Sequence, residues 1–239
     1  LAMAIFALAL VIIFLSTIPD PELDAAAAAG EQKKEGTLES IKGAVSHKNL
    51  VFGVIAIFLY VGIEVGIPNM ANLYMTSPDG LGMAAGVAGT LVGAYWFLML
   101  CGRLVGGAVG AKVSSRAMMT FVSSIAIVFV LLGMFLPETM TMTLLDAQVP
   151  VGMVFFVLCG LCTSIMWGAI FNLAVEGLGK YTSIASGLFM VMVCGGGLLP
   201  LLQGFVADKA GYIPSYWVII AALAYTLWFA LAGSKVEKK

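Results

Sequence analysis

The chain of 239 residues is 61% hydrophobic and only 10% charged, with a formal net charge of −1. Soluble domains usually carry about a quarter charged residues, so this composition excludes an ordinary soluble protein and indicates an integral membrane protein. The balance of acidic and basic residues gives no indication of a nucleic-acid partner. The cysteines lie in apolar segments and predict no disulfide framework.

Seven apolar runs are long enough, or nearly long enough, to cross a bilayer as a helix, which takes about 20 residues. In chain order they cover residues 1–18, 49–75, 83–111, 117–136, 149–175, 183–206 and 216–233. Since the chain begins inside the first run, we expect a fragment that starts within a membrane helix. The other six runs predict one complete helical bundle, and the fold class is an all-α membrane protein.

Residues 19–48 form the longest connection and carry the most charge in the chain. We interpret them as a linker between two bundles, with a short surface helix in TLESIKGAVSHK. The predicted domains are then a partial helix over 1–18, this linker, a six-helix bundle over 49–234 and a tail over 235–239. If the linker is cytoplasmic, ten of the 12 basic residues fall on the cytoplasmic side, which is the positive-inside pattern. The linker and the C-terminus are therefore expected in the cytoplasm.

One carboxylate, Glu64, stands alone in the second apolar run. A charge at the bilayer centre costs about 2.5–3.5 kcal/mol on insertion scales, so such a residue usually faces a cavity or a polar partner. At helical spacing Tyr60, Glu64 and Asn72 share one stripe, and Asn69 lies close to it. These groups could bind several hydroxyl groups of a solute. The alternative is a structural acid that bonds to a neighbouring helix.

Other polar and aromatic residues within the runs are further candidates for a binding site. Trp167 lies in the middle of a run, and its ring could stack on the apolar face of a sugar. Tyr95 and the amide of Asn172 are considered with it. Each of these side chains could instead serve only helix packing or a bond to another helix.

Arg103 lies in a run near its cytoplasmic end, and Glu176 ends another run on the same side. We hypothesise that the two form a cytoplasmic gate that closes in one state and opens in another. The alternative for Arg103 is positive-inside anchoring. The only histidine, His47, lies in the linker, and no catalytic set, phosphate-binding loop or metal-ligand cluster occurs. The sequence thus predicts neither an enzyme nor a cofactor.

Three stretches carry a resemblance to a known family, from about residue 46 to the end. They are HKNLVFGVIAIFLYVGIEVGIPNM, FLMLCGRLVGGAVGAKVSSRAMM and SIMWGAIFNLAVEGLGKYTSIASGLFMVMVCGGGLLPLLQGFVAD. Together they resemble the second half of the fucose/galactose/glucose permease family of the major facilitator superfamily. The stretch around Glu64 is more similar to the glucose/galactose branch, which has an acid there. Trp167 stands where the family tends to have a tyrosine, and Gly168 replaces a common proline.

The resemblance implies a C-terminal six-helix half of a twelve-helix fold, with residues 1–18 as helix six. It implies a secondary transporter of a monosaccharide, proton-coupled and working by alternating access in a bacterial inner membrane. The acids linked to proton coupling in that family lie in the first half, so a sugar-binding role is expected for Glu64. The expected partners are a monosaccharide, a coupling proton, the bilayer and the missing N-terminal half.

The predicted substrate-binding residues are Glu64, Asn69, Asn72, Tyr95, Trp167 and Asn172. Two other interpretations stay open. One is a permease for a different solute, such as a drug or an organic anion, although an anion is disfavoured because no basic residue is placed at mid-membrane. The other is a sugar-sensing membrane protein that does not transport.

Overall fold

The computed structural model describes residues 37–144 and 146–236. Within these ranges the α-helices are α1 Thr37–Val45, α2 Lys48–Thr76, α3 Ala85–Gly110, α4 Ser115–Phe135, α5 Val151–Val175, α6 Thr182–Met192, α7 Gly195–Ala210 and α8 Tyr216–Trp228. Shorter elements are the strands β1 Thr141–Leu144 and β2 Ala147–Pro150, a 3-10 turn over Gly179–Tyr181 and a π-helical end over Phe229–Gly233.

Most of the described residues belong to one compact unit that begins at Ile41. The predicted partial helix over 1–18, most of the predicted linker over 19–48 and the last residues of the tail lie outside the described residues. The predicted division into domains therefore stays a prediction. The short helix expected in TLESIKGAVSHK is confirmed as α1, with an acidic residue in its first turn and Lys42 in its last.

Six helical segments of the described chain are long and apolar enough to cross a membrane. They are Lys48–Thr76, Ala85–Gly110, Ser115–Phe135, Val151–Val175, Gly179–Ala210 and Tyr216–Gly233. Each contains most of one predicted run, so the prediction of an all-α, multi-pass membrane fold is confirmed. The fifth segment differs in detail, because it consists of the 3-10 turn, α6 and α7 rather than one helix.

A β-hairpin that the sequence reading did not predict lies between α4 and α5. Its strands pair antiparallel from Thr141 opposite Pro150 to Leu144 opposite Ala147. Asp146 adopts a positive φ of 58° in the turn, a conformation that aspartate tolerates better than most residues. Each strand is only four residues long, too short to stand out in the sequence. The first strand lies in a predicted loop, and the second overlaps the start of the predicted run over 149–175.

Helices α2 and α5 lie at the centre of the bundle, where α5 packs against α2, α3 and α4, and α2 also packs against α7 and α8. Glycines bring these helices close together. A side chain at Gly106 of α3 would lie 2.7 Å from Ile165 of α5, and one at Gly66 of α2 would lie 2.7 Å from Gln203 of α7. The resulting close contact of α3 with α5 positions the polar residues described next.

Candidate functional site

A cavity of about 590 Å³ opens near the middle of α2. This volume is within the range of small-molecule pockets, about 300–1,000 Å³. Its lining residues are Val61 and Glu64 of α2, Arg103 of α3, Ser164, Trp167 and Gly168 of α5, and Val193 after α6. This space, named here the Glu64 cavity, brings together two predicted binding residues, Glu64 and Trp167, and one predicted gating residue, Arg103.

Glu64 and Arg103 form an ion pair inside this cavity. The Nη2 atom of Arg103 donates to Oε1 of Glu64 at 3.0 Å. The carboxylate side chain is 13% exposed and the guanidinium side chain 53% exposed, so the acid is shielded while the base borders open space. Pairing offsets part of the cost of removing each charge from water.

The position of Arg103 corrects one premise of the sequence analysis, which placed no basic residue at mid-membrane. Its Cα stands in the last third of α3, but the long side chain reaches the level of Glu64, near the middle of α2. Sequence position alone locates the Cα and not the guanidinium. An anionic solute is therefore not disfavoured by a lack of basic groups near Glu64.

Glu176 lies apart from this ion pair. It is the exposed residue that follows α5, and its backbone carbonyl accepts a hydrogen bond of 2.9 Å from Nδ2 of Asn49. In this conformation the partner of Arg103 is Glu64. A gate between Arg103 and Glu176 stays a prediction for another conformation.

Trp167 is half-buried and presents its ring to the Glu64 cavity. Its ring meets Tyr60 edge to face, with centroids 6.2 Å apart and an interplanar angle of 69°. Tyr60 is fully buried, and its hydroxyl has no partner at hydrogen-bonding geometry in the described part of the chain. Of these two rings, that of Trp167 borders the cavity.

Tyr95 does not line the cavity, contrary to its predicted role in packing on a sugar ring. It is 1% exposed, which leaves no surface for a ligand. Its hydroxyl donates to the backbone carbonyl of Glu64 at 3.1 Å and lies 3.1 Å from Oγ1 of Thr163. The rotation of α3 turns this residue toward α2 and α5, which the sequence pattern does not indicate.

The three predicted amides lie away from the Glu64 cavity. Asn69 is exposed and Asn72 half-buried, both further along α2. Asn172 lines a second cavity of about 320 Å³, named here the Asn172 cavity, and its Nδ2 donates to Oγ of Ser115 at 3.3 Å. Arg103 borders both cavities. Together with the buried Tyr95, the structure therefore separates the predicted set of binding residues into four places.

Ser164, Val61 and Val193 line the Glu64 cavity but were not singled out from the sequence. Ser164 precedes Trp167 by three residues, and that helical spacing is a signal that could have identified it. Its hydroxyl donates to the carbonyl of Leu161 at 2.6 Å, which satisfies it within α5. Within residues 37–144 and 146–236, no three His, Cys, Asp or Glu side chains come together as a metal-binding group.

The sequence matches known proteins along most of its length. The family model of the Major Facilitator Superfamily matches residues 1–199. A glucose/galactose transporter of Brucella abortus biovar 1 (strain 9-941) is 31% identical over 235 residues, which are 98% of this chain and 52% of that protein. A putative glucose/galactose transporter of Helicobacter pylori (strain J99) is 32% identical over 244 residues, 100% of this chain and 54% of that protein. The L-fucose-proton symporter of Escherichia coli (strain K12) is 27% identical over 181 residues, 76% of this chain and 38% of that protein.

The fold is similar to a solved structure of the E. coli fucose:proton symporter FucP, with a TM-score of 0.78 and 24% sequence identity. That match covers 98% of this chain and 53% of the symporter chain. The outward conformation of FucP gives a TM-score of 0.75. The chain spans about half the length of the curated relatives it matches, and the matched part is their C-terminal half.

Proposed function

Because the chain belongs to the Major Facilitator Superfamily, we propose that it supplies half of the solute site of a proton-coupled monosaccharide transporter. The observation that carries the proposal is the Glu64–Arg103 pair beside Trp167 in a cavity at mid-span. The names of the relatives, glucose/galactose transporter and L-fucose-proton symporter, support the solute class and the coupling proton. The solute crosses without chemical change.

The chemistry of the Glu64 cavity suits a polyol. The carboxylate of Glu64 accepts hydrogen bonds from hydroxyl groups, and the guanidinium of Arg103 donates to them. The ring of Trp167 offers an apolar surface for the C–H face of a sugar. Since the two charges of the pair compensate each other, the site favours a neutral solute over a charged one.

Further residues complete the proposed half-site in other conformations. Asn69 and Asn72 lie on α2 beyond Glu64, and Asn172 and Arg103 both line the Asn172 cavity. We infer that a second six-helix half closes the Glu64 cavity, and that the two halves rock about the solute. Solute binding then shifts the populations of the open and occluded states by its differential affinity for them.

The placement in the cell follows from the same proposal. The chain is a multi-pass integral membrane protein. The excess of basic residues on one side supports an orientation with the linker and the C-terminus in the cytoplasm of a bacterial inner membrane.

An organic-anion permease is the second candidate, and the exposure of Arg103 favours it. The guanidinium is 53% exposed and borders two cavities. A carboxylate on the solute could compete with Glu64 for it, and a bidentate pair of this kind is strong. The two candidates differ in whether the Glu64–Arg103 pair remains intact when solute binds.

Solute counterflow tests the proposal. The protein expressed from its complete gene is reconstituted in liposomes, and separate vesicle sets are loaded with unlabelled galactose, glucose, fucose, mannose or lactate. We expect transient accumulation of the matching labelled sugar in at least one set, and faster uptake when the outside is acidified. Accumulation of lactate alone would favour the anion permease. No accumulation from folded protein in any set would contradict both candidates.

A further inference from the structure

Pro68 lies inside α2, four residues after Glu64. In a regular helix the N–H of residue 68 would donate to the carbonyl of Glu64, but proline has no N–H. A backbone carbonyl left unpaired in apolar surroundings is costly. The helix therefore needs a donor from another part of the molecule at this position.

The hydroxyl of Tyr95 is that donor, at 3.1 Å from the carbonyl oxygen of Glu64. Tyr95 is only 1% exposed, so the bond is formed where water has little access. Tyr95 and Arg103 both stand on α3, eight residues apart, a spacing that keeps them on one side of the helix. Helix α3 thus contacts Glu64 twice, at its carbonyl through Tyr95 and at its carboxylate through Arg103.

We propose that Tyr95 is a positioning residue for Glu64. Its hydroxyl replaces the N–H that Pro68 lacks, joins α2 to α3 at the break, and so sets the place where the carboxylate of Glu64 meets Arg103. What that carboxylate binds rests on the proposed function. The hydrogen bond from Tyr95 to Glu64 and its dependence on Pro68 are independent of the proposed function.

Thr163 of α5 gives this link two possible arrangements. Its Oγ1 lies 3.1 Å from the Tyr95 hydroxyl and 3.2 Å from the carbonyls of Cys159 and Gly160. In one arrangement Tyr95 donates to Glu64, and Thr163 donates to Tyr95 or to a carbonyl of its own helix. In the other, Tyr95 donates to Thr163 and Thr163 donates to Cys159, which releases the carbonyl of Glu64. The break at Pro68 is closed whenever Tyr95 donates to Glu64, whichever acceptor Thr163 then uses.

A double-mutant cycle between Tyr95→Phe and Pro68→Ala tests the proposal in the protein expressed from its complete gene. The readouts are thermal unfolding in detergent and equilibrium binding of labelled galactose. With Pro68 present, we expect Tyr95→Phe to lower the midpoint by about 2–4 °C and to weaken galactose binding about threefold to tenfold. In the Pro68→Ala background both changes should disappear, because residue 68 then supplies its own N–H.

Equal effects of Tyr95→Phe in both backgrounds would overturn the proposal, since a hydroxyl that serves packing or touches sugar is indifferent to residue 68. If Tyr95→Phe alone does not fold, the double variant should restore folded protein, and failure to do so would also count against the proposal. Coupling in the unfolding midpoints without any sugar binding by the wild type would support the positioning role and refute the proposed function. Sugar binding by the wild type without coupling in the unfolding midpoints would support the proposed function and refute the positioning role.

Two variants serve as matched controls. Tyr225 donates through its hydroxyl to the carbonyl of Phe52 in α2 at 3.2 Å, where no proline interrupts the helix. Tyr225→Phe should therefore have the same effect with and without Pro68. Thr163→Val leaves Glu64 as the acceptor for Tyr95, so galactose binding should stay within twofold of the wild type. Binding as weak as in Tyr95→Phe would show that Thr163 is the more important partner and contradict the proposal.

Discussion

Helix α2 and the fifth membrane-crossing segment each contain a proline inside a helix, Pro68 in α2 and Pro200 in α7. Helix α2 nevertheless runs without interruption from Lys48 to Thr76, whereas the fifth segment is divided before Gly195. Helix α7 also continues through Pro200, and the division of the fifth segment lies before it, at Val193 and Cys194. What differs between the two prolines is the donor that a neighbouring helix offers to the carbonyl four residues earlier.

At Pro68 two tyrosines from different helices donate to backbone carbonyls of α2. Tyr95 donates to Glu64 at 3.1 Å, and Tyr216 of α8 donates to Ile67 at 3.0 Å. At Pro200 the corresponding carbonyl is that of Gly196, and no hydroxyl in the described part of the chain donates to it. Glu64 therefore lies on the helix whose carbonyls near the proline receive hydrogen bonds from neighbouring helices.

The largest effect on stability is expected from Gly195→Ala, in the fifth segment. A side chain at Gly195 would collide with the backbone carbonyl of Phe58 in α2, which has little room to move. We expect unfolding to become easier by about 2–3 kcal/mol, measured by thermal unfolding in detergent. Gly197→Ala is the matched control, because a side chain there meets nothing within 4 Å. Equal loss in both variants would show that helix propensity, and not contact with α2, matters here.

Glu64→Gln should cause the largest loss of transport. The amide keeps the size of the side chain but loses the negative charge that pairs with Arg103 and accepts hydrogen bonds from the solute. We expect uptake efficiency to fall about 100-fold, since a hydrogen bond to a charged group contributes about 1.5–3 kcal/mol. Glu39→Gln, an exposed residue of α1, is the control and should leave uptake unchanged. Uptake at the wild-type level in Glu64→Gln would remove this residue from the site.

Arg103→Lys is expected to have an intermediate effect. The ammonium keeps the positive charge but lacks the planar fork of the guanidinium. Uptake should fall about tenfold while the protein stays folded, measured by initial rates at several sugar concentrations. Arg116→Lys is the matched control, because Arg116 bonds the carbonyl of Ser234, away from the Glu64 cavity. A tenfold loss in that control as well would indicate a general requirement for arginine.

The smallest effect is expected from Pro68→Ala, compared with Pro200→Ala. Because Tyr95 already pairs with the carbonyl that Pro68 leaves free, Pro68→Ala should change the free energy of unfolding by less than about 1 kcal/mol. Pro200→Ala should stabilise more, because it supplies an N–H to a carbonyl that no hydroxyl serves. Thermal unfolding of both variants under one condition makes the test. A larger gain from Pro68→Ala would reverse the comparison.

Much of the candidate site was predictable from the placement of single residues. Glu64 is the one charge in α2 apart from Lys48 at its start, and the cost of a charge at mid-membrane indicates a cavity or a partner. Trp167 was predicted from its position in the middle of a run, and it does line the cavity. The ion pair with Arg103 was not predictable, because it depends on how α3 is rotated and tilted against α2.

The sequence by itself determined the six membrane-crossing segments and the short helix α1, because hydropathy over about 20 residues and helix-end signals are local properties of the chain. Only the tertiary structure decided the partner of Arg103 and the burial of Tyr95. Each of these depends on which faces of two helices meet, and contacts across the bundle set that. The physical reason is that lipid selects apolar helices by composition, while packing and hydrogen bonding between helices select their rotation.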